Sequence, residues 1–273
     1  GYDAWRERDL FATDVSVGAP PDSLYSEGQH WGFPPLHPEK IREQEYRYVI
    51  DYLDNNLKYA SLLRIDHVMS LHRLFWIPKG LEARNGVYVR YSADELCAIL
   101  SLESHRHKCL IVGENLGTVP SHVDQLMLKH NIHGMYVVQY EVMPGQKRPL
   151  RTVVADEVAS LNTHDMPPFS AFWRGSDIED RFDLNLLDGA GAVAERETRE
   201  ALKKALLRFL QRNGWLKSGQ ADEIYPVLRA CLNFLGASSA GVVLVNLEDL
   251  WLETEPQNLP GIHGRSSNWR RKA

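Results

Sequence analysis

Ser61-Leu62-Leu63-Arg64-Ile65-Asp66 is an apolar run broken by one arginine and closed by an acid, and Cys109-Leu110-Ile111-Val112-Gly113-Glu114 ends the same way. Val158-Ala159-Ser160-Leu161 leads to Thr163-His164-Asp165, and Gly241-Val242-Val243-Leu244-Val245 leads to Asn246-Leu247-Glu248-Asp249. Met135-Tyr136-Val137-Val138-Gln139 makes a fifth run. Short apolar runs without polar alternation are expected of strands covered on both faces, as in a parallel sheet. A doubly wound open sheet and a (β/α)8 TIM barrel both satisfy this α/β pattern. The polar ends favour the barrel, because Asp66, Glu114, Asp165 and Asp249 all follow the carboxyl ends of their strands, where a barrel gathers its chemistry. Five strands do not close a barrel of eight, so the expectation is a partial barrel without its first three strands. The start at Gly1-Tyr2-Asp3-Ala4-Trp5, with no initiator Met, points the same way.

Helices are predicted between the runs. Tyr46, Val49, Ile50, Leu53 and Leu57 recur at three- and four-residue steps and give one apolar face. Ser92-x-x-Glu95 has the form of a capping box before Leu96, Ile99 and Leu100. Pro120 suits the first turn of a helix with Val123, Leu126 and Met127 inward. Two later helices turn inward Leu202, Ala205, Leu206, Phe209 and Leu210, then Tyr225, Leu228, Leu232 and Leu235. Residues 1–38 are dense in Gly and Pro (Gly18, Pro20, Pro21, Gly28, Gly32, Pro34, Pro35, Pro38), which predicts an ordered irregular segment. Tyr25, His30, Trp31 and Phe33 sit in it, and a long aromatic loop serves either packing or function.

The composition of the 273 residues, 44% hydrophobic and 25% charged, is that of a folded domain. The formal charge is -5, and no Lys/Arg block suits a nucleic-acid arm. The basic face Lys203, Lys204, Arg208 and Arg212 reads as solvated helix surface. No long apolar run suits a bilayer and no signal peptide is recognisable, so neither nucleic acid nor membrane is an expected partner. Cys97, Cys109 and Cys231 are odd in number and lie in apolar stretches, as expected of buried free thiols in a reducing cytoplasm.

A single acid at a strand end is ordinarily a helix cap or a solvated loop residue. Here the acids have company. Arg64 and Asp66, two apart on a strand, point to the same side, so the arginine can orient the carboxylate. Glu114 follows an apolar strand and Gly113, surroundings that desolvate a carboxyl and raise its pKa toward general-acid work. Asp165 comes with His164, ahead of Pro167-Pro168. His67 and His72 lack a third ligand at sensible spacing, so no metal site is expected. A two-metal phosphohydrolase would use the same acids with more clustered His and Asp ligands. One carboxylate, one protonatable acid and an Asp-His pair suit retaining chemistry at a glycosidic bond, with front-loop aromatics as stacking surfaces for sugar rings.

Several separated motifs make the sequence similar to the amylomaltase, or 4-alpha-glucanotransferase, family of the alpha-amylase superfamily. They are Gly18-Ala19-Pro20-Pro21-Asp22, Gly28-Gln29-x-Trp31-Gly32-x-Pro34 and Arg64-Ile65-Asp66-His67. They continue with Gly113-Glu114-Asn115-Leu116-Gly117, Thr163-His164-Asp165-x-Pro167, and Asn258-Leu259-Pro260-Gly261 with Asn268-Trp269-Arg270. The resemblance implies a partial catalytic (β/α)8 barrel over 1–273, strands four to eight, with a substrate-cleft loop at about 18–38. It implies Asp66 as nucleophile of a covalent glucosyl-enzyme intermediate, Glu114 as acid/base and Asp165 as the third carboxylate. Trp31, Arg64, His67, His164 and Asp249 are then the substrate-binding residues. The family more often has Glu-Asp-Leu-Gly at Glu114-Asn115-Leu116-Gly117 and Gln-Asp at Glu248-Asp249, which implies altered contacts around the acid/base and the subsites.

The implied reaction moves α-1,4-glucan segments between maltooligosaccharides. The remaining amino-terminal part of the same protein is the implied partner, with no organic cofactor and no strong calcium loop. An α-glucan hydrolase on the same barrel and an inactive carbohydrate-binding fragment stay open as alternatives. Products from maltotriose separate the first two, since transfer alone makes longer oligosaccharides.

Overall fold

The computed structural model describes residues 1–22, 27–117, 119–260 and 268–270, which fall into two units, Gly1–Gly134 and Met135–Ala273. In the first unit the strands are β1 (Val15–Ala19), β2 (Gln29–His30), β3 (Leu62–Ile65), β4 (Arg73–Pro78), β5 (Val87–Arg90) and β6 (Leu110–Gly113). Two of the apolar runs become β3 and β6, which pair in parallel with Leu62 opposite Leu110 and Ile65 opposite Gly113. Such a pair needs a long crossover, and this one contains the helix Ala93–His107. Arg47–Leu57 buries Val49, Leu53 and Leu57, Ala93–His107 buries Leu96, Cys97 and Leu100, and Ser121–Lys129 buries Val123 and Met127. These side chains share one core with Ile111. The predicted 3.6-residue periodicity thus finds its partners.

Two expectations in this unit are corrected. Residues 1–38 are not irregular throughout: they contain the helix Tyr2–Arg6 and strands β1 and β2. These strands belong to a four-stranded antiparallel sheet in the order β2-β1-β4-β5. Gly18 is required there because a Cβ would collide with the Gln29 carbonyl of the neighbouring strand. The Ser92–Glu95 capping box does not form either. Ser92 stands at the cap position with no side-chain cap bond, and the Glu95 carboxylate accepts instead from Arg42 (2.9 and 3.0 Å) and from the Tyr46 hydroxyl. A charged acceptor shared by two tertiary donors outweighs one local backbone bond.

The remaining runs become β7 (Gly134–Val137, all but its first residue in the second unit), β8 (Glu157–Ser160) and β9 (Val242–Leu244), in that order in one sheet. β8 and β9 are parallel, with Val158 opposite Val242 and Ser160 opposite Leu244. Helices Gly189–Arg212 and Ile224–Gly236 supply Leu206, Phe209, Leu210, Leu228 and Leu235 to a core that also takes Tyr136 and Leu161. Tyr225, expected inward, is 55% exposed. Val138 and Gln139, expected to end a strand, begin the short helix Val138–Glu141, and Phe169–Arg174 and Ser176–Asp183 are further helices the pattern did not announce. The fold is therefore α/β, with parallel pairs and an antiparallel sheet. All three cysteines are buried and free. Among the described residues, no helix is long and apolar enough to cross a membrane.

Candidate active site

Asp66 and Glu114 are the residues that follow the paired ends of β3 and β6, Ile65 and Gly113. They occupy equivalent positions at the carboxyl edge of neighbouring parallel strands. The main chain fastens them together: the Glu114 N–H donates to the Ile65 carbonyl at 2.8 Å, and the Glu114 carbonyl accepts from the Val68 N–H at 3.0 Å. Asp66 is 73% exposed, and Arg64 Nη1 lies 2.7 Å from its Oδ1. The predicted Arg64–Asp66 pairing is present, with the carboxylate open to a reactant.

Glu114 is more enclosed. Its Oε2 accepts from the His67 N–H at 2.9 Å and its Oε1 from the Leu116 N–H at 2.8 Å. Burial raises its pKa above the ordinary carboxyl value. The Leu116 N–H opposes the shift, the charge of Asp66 adds to it, and the His67 N–H and Arg64 again oppose it. Desolvation dominates, as expected of a proton donor. Gly113 serves close packing, since a Cβ there would lie 2.6 Å from the Val68 side chain. Asn115 Nδ2 lies 3.5 Å from Asp124 Oδ1. An aspartate at 115 would set two carboxylates against each other there, so an amide suits this chain.

His67 adopts a left-handed backbone with φ 46, uncommon for a residue with a Cβ, while its N–H bonds to Glu114. Its imidazole pKa is lowered, first by burial and then by Arg73, with Asp66 acting the other way. The ring meets Trp31 edge-on with centroids 5.1 Å apart, and Trp31 stacks beside Phe33 at 6.3 Å. The antiparallel sheet makes this possible: the Trp31 N–H donates to the Val17 carbonyl, and the Val17 N–H to the Phe33 carbonyl, each at 2.9 Å. The front-loop aromatics thus stand beside the residue that follows Asp66. Tyr25, from the same loop, and Gly261, from the last motif, lie outside the described residues. His72 pairs with His122 (nitrogens 3.2 Å apart) rather than with His67. Among the described residues, no three His, Cys, Asp or Glu are grouped to hold a metal ion.

In the second unit, Asp165 lies beyond the carboxyl end of β8. Its Oδ1 accepts from Asn258 Nδ2 at 2.5 Å, its N–H donates to Thr163 Oγ1 at 3.3 Å, and its Oδ2 is 3.1 Å from His164 Nε2. The His164 ring in turn meets Trp269 with centroids 5.2 Å apart. Asn258 and Trp269 belong to the quoted motifs, yet nothing in their local sequence tied them to Asp165 and His164. Asp249, expected among the substrate-binding residues, is 1% exposed and lines a small pocket with Thr163 and His164. Its carboxylate accepts from Asn162 Nδ2 (3.0 and 3.2 Å) and from the Phe169 N–H (2.7 Å). Burial raises its pKa against the lowering effect of those donors. An apolar strand followed by a two-residue acid pair does not reveal which acid turns inward.

The family model described as 4-alpha-glucanotransferase, glycoside hydrolase family 77, matches residues 1–273. A 4-alpha-glucanotransferase of Haemophilus influenzae is 36% identical over 276 residues, covering 99% of this chain and 40% of that protein. One of Mycobacterium tuberculosis is 35% identical over 279 residues, covering 99% and 38%. The amylomaltase of Corynebacterium glutamicum superposes with a TM-score of 0.88 at 28% identity, over 96% of this chain and 39% of that one. An amylomaltase of Streptococcus agalactiae in complex with acarbose shares the fold, with a TM-score of 0.75 at 20% identity, over 98% and 49%. The chain spans about two fifths of the length of the curated relatives it matches. With a family model matched along its whole length and these relatives beside it, the chain belongs to the 4-alpha-glucanotransferase family.

Proposed function

We propose that the protein to which this chain belongs is a retaining 4-alpha-glucanotransferase, with β3, β6, β7, β8 and β9 as strands four to eight of a (β/α)8 barrel. The observation that carries the mechanism is the matched register of Asp66 and Glu114 on adjacent parallel strands. Neighbouring strands lie about 4.8 Å apart, which suits the carboxyl separation of about 5–5.5 Å in retaining pairs better than the about 6.5–9.5 Å of inverting ones.

In the first step Asp66 attacks the anomeric carbon and the bond to the leaving 4-oxygen breaks. Glu114 donates its proton to that oxygen, leaving a glucosyl ester on Asp66. In the second step Glu114 takes the proton from the 4-hydroxyl of an acceptor glucan, whose oxygen displaces Asp66. Arg64 orients the nucleophile. Asp165 with His164 engages the donor's ring hydroxyls, and Trp31 stacks on a glucose ring with His67 behind it. α-1,4-glucans are the substrates. The three buried thiols suit a reducing, cytoplasmic location. The test is product analysis of the full-length protein on maltotriose. Longer oligosaccharides support transfer, whereas glucose and maltose alone would replace it with hydrolysis.

A further inference from the structure

Asn162 and Phe169 bracket the segment that carries Thr163, His164 and Asp165, and one buried carboxylate reaches both ends of it. Asp249 takes the Asn162 side-chain amide through both oxygens and the Phe169 N–H through Oδ1. Asn162 is itself 3% exposed, and its Oδ1 accepts from Asn246 Nδ2. The segment after β8 is thus tied to the segment after the parallel neighbour β9 through the side chains of Asn162, Asn246 and Asp249 and the Phe169 N–H. An ionised group that far from solvent persists only when its oxygens are occupied, and here they are.

We propose that Asp249 is a positioning residue for the glucan chemistry. It closes the Asn162–Phe169 segment into the shape that presents His164 and Asp165, and acts through them without touching substrate. The inference rests on the functional reading of Asp165 given above. Every donor in the cluster also constrains how it can be rewired. When Asn162→Asp is combined with Asp249→Asn, the carboxylate moves to position 162 and the carboxamide to position 249. The relocated carboxylate accepts from Asn246 and from the relocated amide, whose carbonyl oxygen stays available to the Phe169 N–H. The charge passes to the partner position and no donor loses its acceptor.

The experiment is a pairwise cycle in the full-length protein, assayed by maltotriose disproportionation with kcat and KM resolved, alongside Tm. Asn162→Asp alone sets two buried carboxylates together and is expected to lower kcat by about 10²-fold through misplacement of the loop, with KM little changed. Adding Asp249→Asn should restore most of that kcat. A charge used directly on the sugar predicts the opposite sign, with Asp249→Asn deepening the loss. A folded double variant no more active than Asn162→Asp overturns the proposal. So does a double variant that fails to fold while Asp249→Asn alone folds. If Asn162→Asp itself does not fold, the comparison of double variant with parent decides in the same way. Asp165→Ala runs beside the cycle: full transfer activity there would sink the functional reading, while Tm in the cycle still reports whether the two side chains are coupled.

Discussion

Glu114→Gln is the most informative single change, because the structure makes it more than the loss of a proton. The two backbone donors address different oxygens, His67 N–H at Oε2 and Leu116 N–H at Oε1. A carboxyl group accepts at both, protonated or not, while a carboxamide accepts at one and turns N–H against N–H at the other. The unpaired donor in this half-buried setting costs about 1–3 kcal/mol, to be read as a lower midpoint in denaturant. The missing general acid separately costs about 10²–10⁴ in rate with a substrate whose leaving oxygen needs protonation. The assay pairs maltotriose with an α-glucosyl fluoride, whose leaving group needs little help. The fluoride should still glycosylate the variant, and mass spectrometry should find the trapped sugar on Asp66, because release has lost its base. The assignment is refuted if maltotriose transfer stays within a few-fold of the parent, if both donors fail equally, or if the label lies on another residue.

The pH dependence follows from the raised pKa of Glu114. The native state binds this proton more tightly than the unfolded chain, so its contribution to stability is complete below about pH 4 and is lost as pH rises through the raised native value. The stability gap between parent and Glu114→Gln should therefore narrow with rising pH, and kcat/KM should fall on its alkaline side; unfolding curves that show a widening gap contradict this. Arg64→Ala should cost only about 0–1 kcal/mol of stability, because its partner Asp66 is largely exposed, yet lower kcat/KM by about tenfold or more through disordered attack; a variant with parent kinetics removes Arg64 from the mechanism. Trp31→Ala should fold normally and weaken the use of oligosaccharides, and unchanged kinetics across several maltooligosaccharide lengths would count against stacking.

Strands and their acids were readable because parallel strands are covered on both faces and so spell themselves as unbroken apolar runs. All five runs contain strands, with ends displaced by a residue or two. The antiparallel sheet escaped because β2 is two residues long and Pro20, Pro21, Gly28 and Gly32 crowd the sequence beside β1 and β2, although β4 does alternate, burying Phe75 and Ile77. Its identity is decided by pairing across long sequence separations, such as Val17 with Trp76. Ser92 and Glu95 show the same limit from the other side. A sound local motif lost to Arg42 and Tyr46, some fifty residues away. Within the candidate site, the Arg64–Asp66 pairing and the strand-end placement of Asp66 and Glu114 were readable from spacing and surroundings. Asn258, Trp269 and the inward turn of Asp249 depend on loop geometry that no local pattern encodes.

Glu114 commits its amide, its carbonyl and both carboxyl oxygens to the chain immediately around itself and Asp66. Its bonds to the loop of Asp66 run to backbone atoms of Ile65, His67 and Val68, not to side chains. The spacing between the two acids is thereby insulated from drift in the surrounding side chains. On the function proposed above, Trp31 and Phe33 would be the residues to exchange to retune which chain lengths are accepted, while Asp66 and Glu114 keep their gauge. An engineer altering specificity should work in that aromatic fringe and leave the Ile65–Val68 backbone alone. Proline at 67 or 68 would remove an N–H that Glu114 uses and, on the proposed function, is expected to disturb the chemistry rather than the choice of substrate.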